Sequence, residues 1–206
     1  KYRLVGSEMC IRDSKTVVPK GFVRVLGKLA ELSDSGIPIT FFTGNHDLWM
    51  RDYFHKELNI TVYRQPITLS VGTSRFLIGH GDGLGPGDKG YKRMKKLFTN
   101  PFSNWLFRWL HPDLGVRLGQ YLSQKNKFIS GEEDVKFLGD DKERLVAYSQ
   151  KKLKEEHFDY FVFGHRHLPL EIDLNQNSKY INLGDWITHN TYSVFDGTTM
   201  KLKTWK

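Results

Sequence analysis

The sequence predicts a layered α/β fold with a helical insertion and a β-rich carboxyl-terminal part. Three observations predict it. Apolar runs of helical length alternate with runs of strand length, glycine and histidine follow three of the strand-like runs, and short strand-like runs follow one another near the end. The chain has 206 residues, of which 39% are hydrophobic and 26% charged, as is typical of a globular protein.

Each element in the first part of the chain follows from a local pattern. Helical spacing of apolar residues predicts a helix over 18–33, which a polar run then ends. A short apolar, β-favouring run over 37–43 predicts a buried strand, and 48–58 is predicted to form a second helix. Three further β-favouring runs predict strands, at 61–63, 67–71 and 75–78.

The middle of the chain predicts a helical insertion near 86–130. We expect it to be broken at Pro101 and Pro112, because proline cannot continue a helix. An amphipathic helix over 140–156 and a strand over 160–163 follow. Four strands of antiparallel appearance close the chain, at 170–174, 180–183, 192–195 and 200–205.

Composition excludes several classes of protein. No run of about 18 apolar residues occurs, so a transmembrane helix is not predicted. The single cysteine, Cys10, excludes a disulfide framework and a cysteine-rich zinc site, and it fits a reducing compartment.

Positive charge is concentrated within the insertion. The chain has a formal net charge of +8, and residues 91–128 hold eight basic residues, one acidic residue and eight aromatic residues. Such a segment indicates an anionic partner, an apolar partner or both, with nucleic acid and a membrane or lipid as the candidates. The structural alternative is a solvated helical face over an ordinary core.

Four of the eight histidines follow glycine-punctuated strand ends: His46, His80, His165 and His167. Sites in open α/β sheets form at the carboxyl ends of strands, and neutral imidazole with the amide oxygen of Asn45 suits Mn, Fe, Co or Zn. His165 and His167 are two apart, so on a strand end they would lie on one face. We therefore predict a metal site, against the alternative of incidental hydrogen-bonded histidines. Surface positions are predicted for the others: His55, His111, His157 and His189.

The motifs G-N-H-D, G-H-G-D and G-H-x-H resemble the second half of the calcineurin-like metallophosphoesterases. More narrowly, the chain resembles the UDP-2,3-diacylglucosamine hydrolases of lipid A biosynthesis, over residues 15–206. The 35-residue step from Asn45 to His80, the stretch 79–91 and the basic, aromatic insertion carry this narrower resemblance. The resemblance implies a β-sandwich flanked by helices, with a helical cap insertion.

The resemblance also implies two divalent metal ions, with Mn²⁺ the expected metal. It places ligands of one metal at Asn45, His80 and His165, and a ligand of the other at His167. It implies that His46 stabilises or protonates the scissile phosphate. Substrate contacts are implied at five positions: Asp88, Ser123, Lys127, Asn45 and His165.

The reaction implied by the resemblance is hydrolysis of the pyrophosphate of UDP-2,3-diacylglucosamine to UMP and 2,3-diacylglucosamine 1-phosphate (lipid X). Acyl chains would lie against apolar residues of the insertion: Phe98, Phe102, Trp105, Leu106, Trp109 and Leu110. The expected partners are this lipid-linked nucleotide sugar and an anionic membrane surface, whereas nucleic acid is not expected. The expected location is the cytoplasm, peripheral on the cytoplasmic face of the inner membrane, and the oligomeric state is left open.

Two other classes of function stay open. The chain could be another metallophosphoesterase, such as a nucleotide or protein phosphatase. It could instead be a non-catalytic module whose basic segment binds anionic surfaces.

The chain departs from the family at its front. Family members begin with a strand leading to D-x-H and later carry G-D-x-x-D, and neither motif occurs here. We expect residues 1–14 to be a non-native leader and residues 15–206 to be a partial domain without its first strands. Because the two motifs supply ligands of the other metal and a bridging carboxylate, we expect this polypeptide to be inactive or very slow.

Overall fold

The structure, a computed structural model, describes residues 2–5, 21–45, 47, 50, 52–87, 89–109, 114, 137, 139 and 142–206. The chain divides into two compact units. The first unit comprises Lys1–Glu8, Gln65–Asp88 and Lys127–Lys206, and the second comprises Met9–Arg64 and Lys89–Asn126. Among the described residues, every helix is too short or too polar to cross a membrane.

Strands and helices are numbered in chain order. The strands are β1 (Tyr2–Val5), β2 (Thr40–Phe42), β3 (Thr61–Tyr63), β4 (Ile67–Val71), β5 (Ser74–Gly79), β6 (Tyr160–Phe163), β7 (Pro169–Asn175), β8 (Ser178–Leu183), β9 (Thr191–Phe195) and β10 (Met200–Thr204). The helices are α1 (Val23–Asp34), α2 (Tyr53–Leu58), α3 (Lys89–Thr99), α4 (Pro101–Arg108) and α5 (Arg144–Leu153).

The first unit contains a five-stranded sheet and a three-stranded sheet. The larger sheet has the order β4-β5-β6-β8-β7, and the smaller has the order β1-β9-β10. Strands β5, β6 and β8 are parallel, whereas β4 and β7 pair antiparallel at the two edges. The prediction of an antiparallel strand over 180–183 is therefore correct for its pairing with β7 and wrong for its pairing with β6.

Alternating side chains of the larger sheet face two different layers. Phe76 of β5 packs edge-on against Phe195 of β9, with ring centroids 4.9 Å apart, and so joins the two sheets. The next residue, Leu77, lies in a core with Phe161 of β6 and with Leu145 of α5. The first unit is thus a sandwich of two sheets with a helix on the outer face, as the family resemblance implies.

The second unit has its own core. Strands β2 and β3 pair in parallel, and the core beside them contains Leu26 of α1 and Phe54 of α2. Phe54 packs edge-on against Phe41 of β2, with ring centroids 4.9 Å apart. Asn59 ends α2 with a φ of +52°, a left-handed conformation that asparagine tolerates better than most residues.

Helix boundaries differ from prediction more than strand boundaries do. Strands β3, β4 and β6 have the predicted bounds, and the predicted break at Pro101 separates α3 from α4. The helix predicted over 48–58 begins only at Tyr53, and the one predicted over 140–156 spans Arg144–Leu153. Pro112 lies outside the described residues.

Residues 2–5, for which no element is predicted, form β1 and pair antiparallel with β9. This pairing does not test whether residues 1–14 are native. The leader therefore stays a prediction.

Candidate metal centre

The candidate site lies at the carboxyl edge of the three parallel strands of the first unit. Gly79 pairs with Phe163, and Phe163 pairs with Asn182, so β5, β6 and β8 end side by side. The Gly164 N–H donates to the His80 carbonyl at 3.0 Å, which extends the ladder past both strand ends. Residues that follow these strands are therefore brought together by backbone pairing.

His80 and His165 come together at this edge. Their ring centroids are 5.3 Å apart, and the ring planes are inclined at 56°. Between His80 and Asp82, Gly81 has a φ of +111°, and an added Cβ would lie 3.0 Å from a methyl group of Leu145. Glycine therefore allows the chain to turn beside α5 without crowding Leu145.

Asp82 fixes the orientation of the His80 ring. Its Oδ1 lies 2.8 Å from His80 Nδ1, and its side chain is 4% exposed. A carboxylate on one imidazole nitrogen selects the tautomer and leaves the other nitrogen available as a metal ligand. Asp82 was not among the predicted site residues, although the spacing G-H-x-D carries the signal.

His165 is held in the form that binds metal. Burial, together with the nearby His80, lowers the pKa of the His165 ring to about 3. The ring is therefore neutral at physiological pH, and neutral imidazole is the ligand form of histidine.

The loop after β6 does not continue the strand. β6 ends at Phe163, and the backbone φ angles of His165 and His167 are +69° and +50°. The expectation that these two histidines share one face of an extended strand is therefore wrong. Both lie in a tight turn with left-handed backbone, a conformation that residues other than glycine rarely adopt.

The predicted site residues have different outcomes. His80 and His165 are adjacent, and the partly buried His167 follows two residues later in the same loop. Asn45 is a partly buried residue at the turn after β2, in the second unit. Four predicted residues lie outside the described residues: His46, Asp88, Ser123 and Lys127.

The imidazole nitrogens at the carboxyl edge of β5 and β6 suit a divalent metal, but only two imidazoles of the described residues come together there. His80 and His165 provide two imidazoles, and Asp82 orients one of them. In the part of the chain that the structure describes, no group of three or more His, Cys, Asp or Glu side chains is arranged to hold a metal ion. The described residues therefore supply part of a ligand set of the kind that the sequence predicts.

A second histidine–carboxylate pair follows β8. His189 Nδ1 lies 3.0 Å from Asp185 Oδ2, and the two side chains are 29% and 7% exposed. The prediction that His189 is a surface residue is wrong, because its side chain is partly buried against Asp185, whereas His55 and His157 are exposed as predicted. The i, i+4 spacing of Asp185 and His189 is the sequence signal for this pair. His111 lies outside the described residues.

The insertion helices expose a large apolar surface. On α4 and directly after it, Phe102, Trp105 and Trp109 are 68%, 50% and 76% exposed. Phe102 stacks on Trp105 with ring centroids 5.9 Å apart, and Trp105 lies 5.8 Å from Trp109. These rings pack on one another while staying open to solvent, so the described part of α4 is not buried by packing of the insertion against itself.

Comparison with curated proteins identifies close relatives. The chain is 39% identical to the UDP-2,3-diacylglucosamine hydrolase of Porphyromonas gingivalis over 205 aligned residues, which cover 93% of this chain and 78% of the relative. It is 32% identical to the protein of the same name from Pseudomonas fluorescens, over 77% of this chain and 63% of the relative. The Edwardsiella ictaluri protein of this name is 26% identical, over 82% of this chain and 65% of the relative.

The chain was also compared with protein-family models and with solved structures. No protein-family model matches the chain. A zinc complex of Entamoeba histolytica Vps29 aligns over 97% of this chain and 96% of its own length, with 10% identity and a TM-score of 0.36. A Thermotoga maritima protein, TM1076, aligns over 98% and 99% with 14% identity and a TM-score of 0.39. TM-scores this low support no argument about the fold.

Layered sheets with histidines at the carboxyl edge, together with these relatives, define a hydrolase of the metallophosphoesterase type. The 39% identity to the Porphyromonas gingivalis protein, over 93% of this chain, then identifies the family within this class. The chain belongs to the UDP-2,3-diacylglucosamine hydrolase family, as the resemblance of its motifs predicts. It spans less than two thirds of the length of the Edwardsiella and Pseudomonas relatives.

Proposed function

We propose that the carboxyl edge of β5, β6 and β8 is part of the metal centre of an enzyme that hydrolyses UDP-2,3-diacylglucosamine to UMP and 2,3-diacylglucosamine 1-phosphate. The observation that carries the proposal is the juxtaposition of His80 and His165, with the Asp82 carboxylate hydrogen-bonded to the His80 ring. The chain that contains them is 39% identical to the UDP-2,3-diacylglucosamine hydrolase of Porphyromonas gingivalis. Two imidazoles at the carboxyl edge of one sheet are typical of a site for a divalent transition metal.

The candidate site residues would have separate roles. His80 and His165 would hold a divalent ion, with Mn²⁺ expected, and Asp82 would keep the His80 ring in place. Asn45 and His167 are the further ligands that the family resemblance implies, and His46 is the residue implied to stand beside the scissile phosphate. A bound metal pair would supply a water of lowered pKa and would neutralise charge on the phosphoryl oxygens.

The insertion supports the lipid part of the proposal. Exposed Phe102, Trp105 and Trp109 offer apolar area to acyl chains, and α3 contributes basic residues at 92, 93, 95 and 96. Aromatic rings beside lysine and arginine suit the interface of an anionic bilayer. We therefore propose peripheral attachment to the cytoplasmic face of the inner membrane.

The test is a UMP-release assay with UDP-2,3-diacylglucosamine and Mn²⁺. The 206-residue chain lacks D-x-H and G-D-x-x-D, so we expect it to release UMP very slowly. A chimera with the corresponding family segment placed before residue 15 supplies those ligands, and we expect it to release UMP and lipid phosphate in equal amounts.

The controls separate the proposal from its alternatives. His165→Ala in the chimera should abolish release, whereas His157→Ala, which removes an exposed histidine of the same unit, should not. A chimera that hydrolyses simple phosphate esters or nucleotides but not the lipid substrate would favour another metallophosphoesterase. Vesicle binding by a chimera without any hydrolysis would favour the non-catalytic binding module.

A further inference from the structure

A buried ion pair ties the loop of His165 and His167 to the start of α5. Arg166, between the two histidines, donates from Nη2 to Glu143 Oε1 at 2.8 Å. The two side chains are 12% and 1% exposed. Glu143 directly precedes α5, whose residues Leu145 and Val146 lie in the core under the sheet. The tie therefore runs from the loop to a rigid part of the unit.

The loop needs such a tie because its backbone is strained. Both histidines adopt positive φ angles, at +69° and +50°. Residues other than glycine keep such strained angles only where contacts with the surrounding structure hold them there. The start of the loop is fixed by two hydrogen bonds to the Gly164 carbonyl. Asn182 Nδ2 donates to the Gly164 carbonyl at 2.6 Å, and the Arg166 N–H donates to the same carbonyl at 2.8 Å. The Arg166 side chain adds an anchor between the two strained residues.

A buried ion pair is a poor source of net stability, because desolvation of both charges offsets their attraction. Its planar, directional geometry is better suited to fixing a position. Chain stability alone therefore does not account for the burial of Glu143 and Arg166 beside the candidate metal ligands.

We propose that Arg166 and Glu143 are positioning residues that hold His165 and His167 in their left-handed conformation and so present His165 beside His80 for metal binding. This inference rests on the proposed function for the metal itself. Neither residue is assigned a direct role in the reaction.

The decisive variant removes both charges together, because a single substitution would leave an uncompensated buried charge. Glu143→Gln with Arg166→Met replaces the pair by neutral side chains of similar size. The matched control is Glu156→Gln with Arg75→Met, which removes a more exposed ion pair of the same unit. Arg75 lies near the opposite end of β5 from His80, about 16 Å along the strand.

Two measurements on the 206-residue chain decide the question. Backbone couplings and carbon chemical shifts, recorded by NMR without metal, report the sign of φ at His165 and His167. Mn²⁺ titration then gives the concentration that broadens the His80 and His165 ring resonances by half. Thermal unfolding monitors the fold of each variant.

We expect the Glu143/Arg166 double variant to unfold at a temperature close to wild type, to lose positive φ at His165, and to need at least tenfold more Mn²⁺. The Arg75/Glu156 control should stay within twofold of wild type. If φ at His165 and the Mn²⁺ response were both unchanged in the double variant, this inference would be overturned and the proposed function would not. A wild-type chain whose rings do not respond to Mn²⁺ would overturn the proposed function and this inference with it.

A second variant covers failure of the first to fold. Arg166→Lys keeps the charge against Glu143 but not the planar fork of the guanidinium. We expect it to fold and to need several-fold more Mn²⁺. A Mn²⁺ response equal to wild type would overturn the inference.

Discussion

Asp185, two residues after the end of β8, contributes a pH-dependent part of the stability of the first unit. Its Oδ1 accepts backbone N–H groups of Ile187, Thr188 and His189 at 2.8, 2.5 and 3.2 Å, and its Oδ2 lies 3.0 Å from the His189 ring. Burial alone would raise the pKa of the Asp185 carboxyl. The hydrogen bonds from Thr188, Ile187 and His189 outweigh burial and lower the pKa to about 2.

The size of the effect follows from linkage. A carboxyl with a pKa of about 2 in the folded chain and about 4 in the unfolded chain stabilises the fold by about 2 to 3 kcal/mol at neutral pH. Because the folded pKa is the lower one, this stability is fully present above about pH 4 to 5. It is lost as the pH falls through about 2, with roughly half remaining near pH 3.

The variant Asp185→Asn keeps the size of the side chain and removes its charge. We expect urea unfolding to show a loss of about 2 to 3 kcal/mol at pH 7 and roughly half that loss near pH 3. Asp196→Asn is the matched control, because Asp196 also accepts two backbone N–H groups but is exposed. A loss that is equal at the two pH values, or equal in the two variants, would refute the reasoning.

Three further predictions concern the site, the core and the insertion. Asp82→Asn should raise the Mn²⁺ concentration for half-saturation about 10- to 100-fold, because His80 loses its orienting carboxylate; an unchanged titration would show that Asp82 does not orient the ring. Phe161→Ala should lower the free energy of unfolding by about 3 to 5 kcal/mol in urea, because Phe161 is fully buried, and a loss below about 1 kcal/mol would contradict this. Trp105→Ala with Trp109→Ala should weaken co-sedimentation with anionic vesicles while leaving thermal unfolding unchanged, because both rings are exposed, and undiminished co-sedimentation would contradict a membrane role.

Strands were predictable where apolar and β-branched residues were bounded by clear turns. Residues 67–71 and 160–163 are of this kind, and their predicted bounds are those of β4 and β6. Helix starts were less predictable, because tertiary contacts set them. Glu143, which periodicity placed inside a helix, has extended backbone and faces Arg166 instead. Strand direction was not readable locally, since β8 pairs parallel on one side and antiparallel on the other.

The site was predictable in its residues more than in its geometry. Glycine before His80 and His165 identified the strand ends, and the structure brings the two rings together. The positions of His165 and His167 depend on a left-handed turn that an i, i+2 argument cannot foresee. The partnership of Arg166 with Glu143 joins residues 23 positions apart, so no local pattern reveals it.

We propose that the carboxyl edge of β5, β6 and β8 is part of the metal centre of a hydrolase. UMP release by the chimera should be measured against Mn²⁺ concentration after treatment with EDTA, in wild type, His165→Ala and the exposed-histidine control His157→Ala. We expect EDTA to abolish release, Mn²⁺ to restore it in wild type and His157→Ala, and no Mn²⁺ concentration to restore it in His165→Ala. Equal restoration in all three chains would contradict the account.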